Sequence, residues 1–219
     1  MYVWNHIDVS DFVLTEIKQY YANDYYLQKQ VQKIIYEQDN GFIKLKTEDV
    51  LEKCKEFANW IVINGIEIDY IGYLISAPFF TLQHCHIDTD ISGVGINFPV
   101  SGRGEDTETI FYEPNNEVRT HYLDRHNDKT RTICYSDNWK VLTRYNLTKP
   151  TICINTIPHK FTNYGEGIRI SMTVRSTPET IPFKLMKGWD TGKDTIRWNH
   201  ETWYEDWYGY KENEPPTFG

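Results

Sequence analysis

From residue 81 to residue 100 the chain reads TLQHCHIDTDISGVGINFPV. Seven positions of this stretch hold five potential metal ligands, His84, Cys85, His86, Asp88 and Asp90. The short apolar flanks predict a strand, a turn and a second strand. Because successive side chains of a strand point to opposite faces, His86 and Asp88 are expected to share a face. An imidazole and a carboxylate must do so in order to bind one metal ion.

Alternating apolar and polar residues continue downstream of Gly65, and Gly, Pro and Asn interrupt them at short intervals. This period of two predicts strands. The predicted strands cover residues 67–75, 79–88, 94–100, 108–113, 131–135, 139–145, 151–155, 159–163 and 167–175. Short strands separated by turn residues are typical of an antiparallel sandwich or barrel.

Two helical segments precede the strands. Apolar residues recur at three- and four-residue steps over residues 11–38, which predicts a helix that Ser10 or Asp11 caps. A second helix is predicted from Thr47 to Asn64, with acidic residues in its first turn, where the helix dipole favours them.

The C-terminal segment, residues 177–219, has few aliphatic residues and many aromatic ones among its charges. Its tryptophans are Trp189, Trp198, Trp203 and Trp207. So many aromatic side chains argue against disorder. We therefore expect an arm that packs on the outside of the protein or docks a second subunit to form a homodimer.

A length of 219 residues suits one domain, residues 1–219. We expect a helical support over residues 1–64, a β core over residues 65–176 with an insert at 113–150, and the C-terminal arm. The net charge of −8 argues against a nucleic-acid or anionic-membrane partner. The sequence has no apolar run of about 18 residues, the length that spans a bilayer. Its start lacks the features of a signal peptide, and its four cysteines have no disulfide-rich spacing, so we expect a cytoplasmic protein.

The His86–Asp88 pair needs a third ligand, and His159, at the start of a late predicted strand, is the best placed. Ten residues further, Arg169 opens the alternating run Arg-Ile-Ser-Met-Thr-Val-Arg. Arg169 and Ser171 face inward if the apolar residues between them face a cover. Two His and one carboxylate on one face of a metal form the facial triad of non-haem Fe(II) oxygenases, which leaves coordination positions open. A buried guanidinium beside a hydroxyl suits a carboxylate.

This ordered set resembles the Fe(II)/2-oxoglutarate-dependent dioxygenases, whose pattern is His-x-Asp, then a distal His, then Arg-x-Ser. The resemblance covers residues 65–176. His-Ile-Asp-Thr followed by Ile-Asn-Phe-Pro-Val, and Asn155-Thr-Ile-Pro-His159, are similar to the small hydroxylase-like members found in phage and bacterial genomes.

The resemblance implies a mainly β fold, the double-stranded β-helix or jelly roll, here with an N-terminal helical layer. It implies that His86, Asp88 and His159 bind Fe(II). It also implies that Arg169 and Ser171 hold the C5 carboxylate of the cosubstrate 2-oxoglutarate.

Further candidates for contacts to the cosubstrate are Asn97, Tyr73 and Tyr112. The implied reaction uses O2 to hydroxylate a C–H bond of a protein or peptide side chain, or of a small amino-acid-like molecule. Succinate and CO2 would be the coproducts. Asp88 stands where halogenating relatives have a small residue, which favours hydroxylation or demethylation over halogenation.

Two other interpretations stay open. In a cupin-like metalloenzyme that does not use 2-oxoglutarate, His84, His86 and His159 would bind the metal. Asp90 would then replace the usual Glu, and Asn163 would complete a His-x3-Asn pattern. In a non-catalytic β-sandwich binding module, the histidines would be structural.

Simpler roles also stay open for single residues. Arg169 has an alternative role as the partner of Glu166. His6-Ile7-Asp8 repeats the His-x-Asp triplet before the first helix and outside the predicted β region, and we assign it to the surface or to a cap. Residues 119–149 carry a local charge of +4, which suits a solvated loop or a docking surface for an acidic substrate.

Overall fold

Four helices and two short strands form the first part of the chain, and strands make up most of the described residues after Gly65. A computed structural model describes residues 3–37, 40–81, 85–88, 94–113, 119–122, 131–135, 138–155, 157–176 and 185. Its helices are α1 (Asp11–Asn23), α2 (Tyr25–Tyr36), α3 (Thr47–Lys53) and α4 (Lys55–Ile63), with a short 3-10 helix at Gly104–Asp106.

The strands pair antiparallel in two six-stranded sheets. Sheet A has the order β1 (Trp4–His6), β10 (Thr151–Ile154), β5 (Val94–Ser101), β12 (Arg169–Ser176), β3 (Tyr70–Ser76), β2 (Asn40–Lys44). Sheet B has the order β7 (Arg119–Tyr122), β8 (Arg131–Tyr135), β4 (His86–Asp88), β11 (His159–Asn163), β6 (Thr107–Tyr112), β9 (Val141–Tyr145). From β3 to β6, and again from β9 to β12, the chain changes sheet at every connection.

Both predicted helices are divided in two by a residue that leaves the helical conformation. Asp24 ends α1 with φ −97° and ψ 96°, and its side chain then caps α2 by accepting from the Leu27 N–H at 2.9 Å. Such side-chain bonding competes with the helix and starts a new one. Cys54 divides α3 from α4, and the Phe57 N–H at the start of α4 donates to the Glu16 carboxylate at 3.1 Å. Ser10 caps α1 as the sequence predicts.

One face of sheet A packs against the helices. Ile170, Met172 and Val174 of β12 lie in the same buried cluster as Ile17 of α1 and Phe57 of α4. All five are at most 2% exposed. Because strand side chains alternate, the polar residues between them on β12 face away from the helices. This alternation directs one face of β12 to the core and the other to the space beside sheet B.

The mainly antiparallel β architecture with a few helices confirms the coarse fold class. The predicted strand over 79–88 is wrong in length, because β4 begins at His86. Upstream, Pro78 has no N–H for a ladder, and Phe79 has a left-handed φ of 55°. β1, β2 and β7 were not predicted; the first two have three and five residues, too few for a clear alternation. The domain division stays a prediction, and the arm lies outside the described residues except for Leu185.

No described helix has the length and hydropathy needed to cross a bilayer.

Replacing Phe98 with Ala tests the contact between the helices and sheet A. Phe98 is fully buried on β5, and its ring lies 5.7 Å from that of Phe57 and 5.6 Å from that of Trp60. The change should lower the free energy of unfolding by about 3–5 kcal/mol, because it removes apolar contacts and leaves a cavity. The measurement is urea denaturation followed by circular dichroism. In the control Phe12→Ala, at a residue 76% exposed, the change should be within about 0.5 kcal/mol. Equal effects of the two changes would contradict the packing.

Candidate metal centre

The pairing of β11 with β4 brings two histidines together from distant parts of the sequence. His159 lies directly opposite His86 in the antiparallel register, and their ring centroids are 4.5 Å apart. Asp88 follows two residues after His86 on the same face of β4, with Oδ1 3.6 Å from Nε2 of His86. One ligand atom from each of His86, Asp88 and His159 lies within 4.8 Å of the others.

The three side chains are buried, and one has a defined tautomer. His86, Asp88 and His159 are 5%, 4% and 7% exposed. Nδ1 of His159 lies 2.8 Å from the carbonyl oxygen of Ile157. Since a carbonyl only accepts, Nδ1 carries the proton, so Nε2 is the ring nitrogen that could bind a metal ion. The Phe111 ring, 5.5 Å from the ring of His159, packs beside it.

The donor set fits a divalent transition metal. Two imidazoles and one carboxylate suit Fe(II), Mn(II), Co(II) or Zn(II), and three protein ligands leave coordination positions open for other molecules. A buried carboxylate beside two imidazoles differs from the acidic surface clusters that occur without a metal. The cluster can therefore hold a metal ion and expose it to a substrate.

A cavity of about 250 Å³ contains this cluster. It lies between the polar face of sheet A and the facing side of sheet B. Its lining residues are Gly41, Phe42, Leu74, Ile75, His86, Asp88, Asn97, Thr109, Tyr145, Cys153, Asn155, His159, Phe161, Arg169 and Arg175. The metal ligands thus share one space with two arginines.

Arg169 is buried in the cavity wall, and the described residues give it no acidic partner. It is 7% exposed, and its Cζ lies 3.9 Å from the centroid of the Phe161 ring. Burial lowers the pKa of Arg169 to about 10, so the guanidinium remains charged at neutral pH. Within the described part of the chain it makes no ion pair, and the alternative pair with Glu166 is not formed. A buried cation without a counter-ion is costly, which suits a site that receives an anion.

Ser171 and Asn97 lie close to this site in different ways. Ser171 is fully buried on the same face of β12 as Arg169, does not line the cavity, and its Oγ has no hydrogen-bond partner among the described residues. Asn97 lines the cavity, with Nδ2 3.4 Å from Sγ of Cys153 and 3.5 Å from the Tyr145 hydroxyl. Its Oδ1 is buried and has no partner there. That Ser171 and Asn97 contact the cosubstrate remains a prediction.

Of the tyrosines that the structure describes, Tyr145 lines the cavity, and the candidates Tyr73 and Tyr112 do not. Tyr73 packs edge-on against Tyr21 on the helix side of sheet A, because it alternates with the cavity residue Leu74. Tyr112 packs against Trp139 in a separate apolar cluster, because its neighbour Phe111 takes the position opposite His159. Both candidates are therefore wrong, because the strand register that turns their side chains away from the cavity cannot be read from the sequence. Burial raises the pKa of Tyr145, so its hydroxyl stays neutral and can donate.

Sequence reasoning also missed Arg175 and Asn155. Nη2 of Arg175 lies 2.8 Å from Oδ2 of Asp88, and the backbone carbonyl of Asn155 accepts from the Asp88 N–H at 3.0 Å. The alternating run could have indicated Arg175, because this residue lies six positions after Arg169 and therefore points to the same face of the strand. Nothing in the sequence placed it beside the ligand Asp88.

The cupin-like register gains no support from the described residues. His84 and Asp90 lie outside them. Asn163 does not line the cavity, and its Nδ2 donates to the carbonyls of Ala77 and Gly167, at 2.9 Å each. It therefore joins two turns. The second His-x-Asp triplet is also separate, because Nδ1 of His6 bonds with the Thr151 hydroxyl at 2.9 Å.

No family model and no curated protein matches the chain. Solved structures with a similar chain path include EvdO2 from Micromonospora carbonacea var. aurantiaca, at 11% identity and TM-score 0.46 over 79% of this chain and 93% of that one. The non-haem alpha ketoglutarate-dependent carbocyclase SnoK has 11% identity and TM-score 0.43 over 79% and 78%. A Pseudomonas putida prolyl-4-hydroxylase has 11% identity and TM-score 0.37 over 81% and 94%. Since each TM-score is below 0.5, function is argued from the chain's own residues.

Removing one ligand tests the metal centre. Asp88→Ala and His159→Ala should each weaken Co(II) binding by more than the roughly 10–100-fold that loss of an outer partner costs, because each deletes a donor atom. The measurement is a Co(II) titration of the metal-free protein, followed by visible absorption.

The matched control is Asp8→Ala, which removes the exposed carboxylate of the other His-x-Asp triplet and should leave the Co(II) affinity unchanged. Retention of tight binding in Asp88→Ala would point instead to the register with His84.

Proposed function

We propose that the protein is an Fe(II)- and 2-oxoglutarate-dependent oxygenase. One observation carries the proposal: His86, Asp88 and His159 share a buried cavity with Arg169, a guanidinium that has no acidic partner among the described residues. A metal with open positions and a nearby unpaired cation together suit a ligand that both chelates and carries a second carboxylate.

The strand arrangement supports a double-stranded β-helix, or jelly roll. In each half of the β region the chain crosses between the sheets at every connection, so that β3, β5, β10 and β12 lie in sheet A and β4, β6, β9 and β11 in sheet B. Two facing antiparallel sheets built in this way are typical of that architecture. The helices against the outer face of sheet A would be its N-terminal layer.

The cosubstrate would lie between Arg169 and the metal. The planar guanidinium can donate two parallel hydrogen bonds to its C5 carboxylate, and a neutral Tyr145 hydroxyl can donate another. The Phe161 ring against the guanidinium fixes the direction of the fork. When bound, the iron and the cosubstrate supply an oxidant made from O2, with release of succinate and CO2. The chain's own contribution is to bind, to orient and to exclude water.

We propose hydroxylation of a C–H bond in a protein or peptide side chain, or in a small amino-acid-like molecule. Phe42 and Leu74 give the cavity an apolar part, which suits the aliphatic part of such a substrate. The small cavity and the acidic net charge favour these substrates over nucleic acid. We further propose a cytoplasmic location.

The insert and the arm are the proposed sources of specificity. In the backbone register, Arg131 of the insert strand β8 lies opposite Asp88, so the insert borders the metal centre. The basic residues Arg125 and Lys129 lie outside the described residues, as does most of the arm. An acidic peptide docking on the insert, and a homodimer formed through the arm, remain proposals.

The cosubstrate site is tested by Arg169→Ala. The dissociation constant for 2-oxoglutarate should rise about 30-fold or more, because truncating one partner of a buried charge pair costs about 2–5 kcal/mol. The measurement is the visible charge-transfer band of the Fe(II)–2-oxoglutarate chelate, titrated without oxygen. Arg103→Ala is the control, since the Arg103 side chain is 78% exposed, and it should leave the constant unchanged. Absence of the band in the folded, iron-loaded wild type would refute the proposal.

The reaction itself is tested by succinate release. The iron-loaded protein should release succinate faster when a panel of peptides and amino acids contains its substrate, and mass spectrometry should find one added oxygen on that substrate. Asp88→Ala should abolish both signals, because the iron is lost. Turnover that consumes no 2-oxoglutarate would favour the cupin-like alternative.

A further inference from the structure

We infer that Arg175 is the positioning residue of the metal centre: it holds one carboxylate oxygen of Asp88 so that only the other faces the metal. The inference deepens the proposed function and rests on the same three ligands. It concerns how the chain prepares its metal site.

The contact between Asp88 and Arg175 is short and buried. Nη2 of Arg175 lies 2.8 Å from Oδ2 of Asp88, and the two side chains are 5% and 7% exposed. The other oxygen of Asp88, Oδ1, faces His86 at 3.6 Å from Nε2. The carboxylate thus has two distinct sides, one bound by the protein and one directed to the ligand cluster.

Asn155 binds both partners of this pair. Its backbone carbonyl accepts from the Asp88 N–H at 3.0 Å. With its amide oxygen directed to sheet A, its side chain accepts from Nη1 of Arg175 and from the Gly95 N–H, the latter at 3.2 Å. Arg175 is therefore held from a second direction and has little freedom to leave Asp88.

Gly95 provides the space for the arrangement. It is the register partner of Arg175 on the neighbouring strand β5. A Cβ at this position would lie 2.7 Å from the Asn155 side-chain amide and 3.2 Å from Nη1 of Arg175. Real Cβ atoms essentially never come within 3.0 Å of another atom, so a larger residue would displace the Asn155 amide and would crowd the guanidinium of Arg175. Asp88, Arg175, Asn155 and Gly95 form one unit, which we call the carboxylate clamp.

The clamp has two opposing effects on a metal ion. The positive charge of Arg175 repels a cation, which alone would weaken binding. The ion pair with Arg175 fixes the orientation of the carboxylate, and outer partners that orient a ligand strengthen metal binding. Orientation should dominate, because a released Asp88 could bind through both oxygens or turn away. Bidentate binding would also occupy a position that the cosubstrate needs.

The test is a Co(II) titration of the full-length, metal-free protein, read by visible absorption. Arg175→Gln removes the charge and the fork, and should weaken Co(II) binding by roughly 10–100-fold. The spectrum of bound Co(II) should also change, because the coordination of Asp88 changes. Arg144→Gln is the matched control: its guanidinium pairs with Glu108 at 3.2 Å with the arginine side chain 55% exposed, and both affinity and spectrum should stay as in the wild type.

A purely structural role of Arg175 would lower the melting temperature while leaving the Co(II) affinity and spectrum of the folded protein unchanged, and that result would overturn the inference. Equal or tighter Co(II) binding by folded Arg175→Gln would overturn it as well. If that variant does not fold, Arg175→Lys decides, because it keeps the charge and loses the fork. Weaker Co(II) binding by folded Arg175→Lys supports the clamp, and unchanged binding overturns it.

This test is independent of the cosubstrate. A wild type that binds Co(II) but gives no chelate band with Fe(II) and 2-oxoglutarate would refute the proposed oxygenase. The carboxylate clamp would then still be decided by the Co(II) affinity of Arg175→Gln. A wild type that binds no Co(II) would overturn the clamp.

Discussion

The pairing of β11 with β4 is the constraint on which the site depends. It sets His159 opposite His86, so that two imidazoles from distant parts of the chain meet across one pair of strands. A shift of one residue in this register would turn His159 to the other face of sheet B and break the ligand set. Phe111 and the Ile157 carbonyl then fix the ring in its place. The metal centre is therefore a property of sheet pairing.

Strand β12 contributes to both the apolar core and the cavity, because its side chains alternate between the two faces of sheet A. Its apolar residues pack under the helices, and two of the polar residues between them, Arg169 and Arg175, line the cavity. Burial of the apolar face determines where the polar face points, since neighbouring side chains of a strand cannot share a face. Core packing and the cavity are thus coupled: a change that loosens the helices would also disturb the two arginines.

The two arginines differ in what compensates their charge. Arg175 is paired with Asp88 and held by Asn155, so its charge is balanced within the protein. Arg169 rests on Phe161 and has no acidic partner among the described residues, which is why we propose that a bound anion compensates its charge. A buried charge without compensation is unfavourable. This difference supports the two proposed roles, in which Arg175 orients Asp88 and Arg169 binds the cosubstrate.

The sequence by itself determined the mainly β character, the region of both helical segments, and the residues His86, Asp88, His159 and Arg169, because alternation and ligand chemistry are local or ordered along the chain. It did not determine the breaks at Asp24 and Cys54, where a side chain or a neighbouring helix outweighs periodicity. Two of its candidates for cosubstrate contacts, Tyr73 and Tyr112, do not line the cavity, and it missed Tyr145, Asn155 and Arg175. Only the tertiary structure decided these, because the side of a sheet that a residue faces, and the partner it meets there, depend on register between strands far apart in sequence.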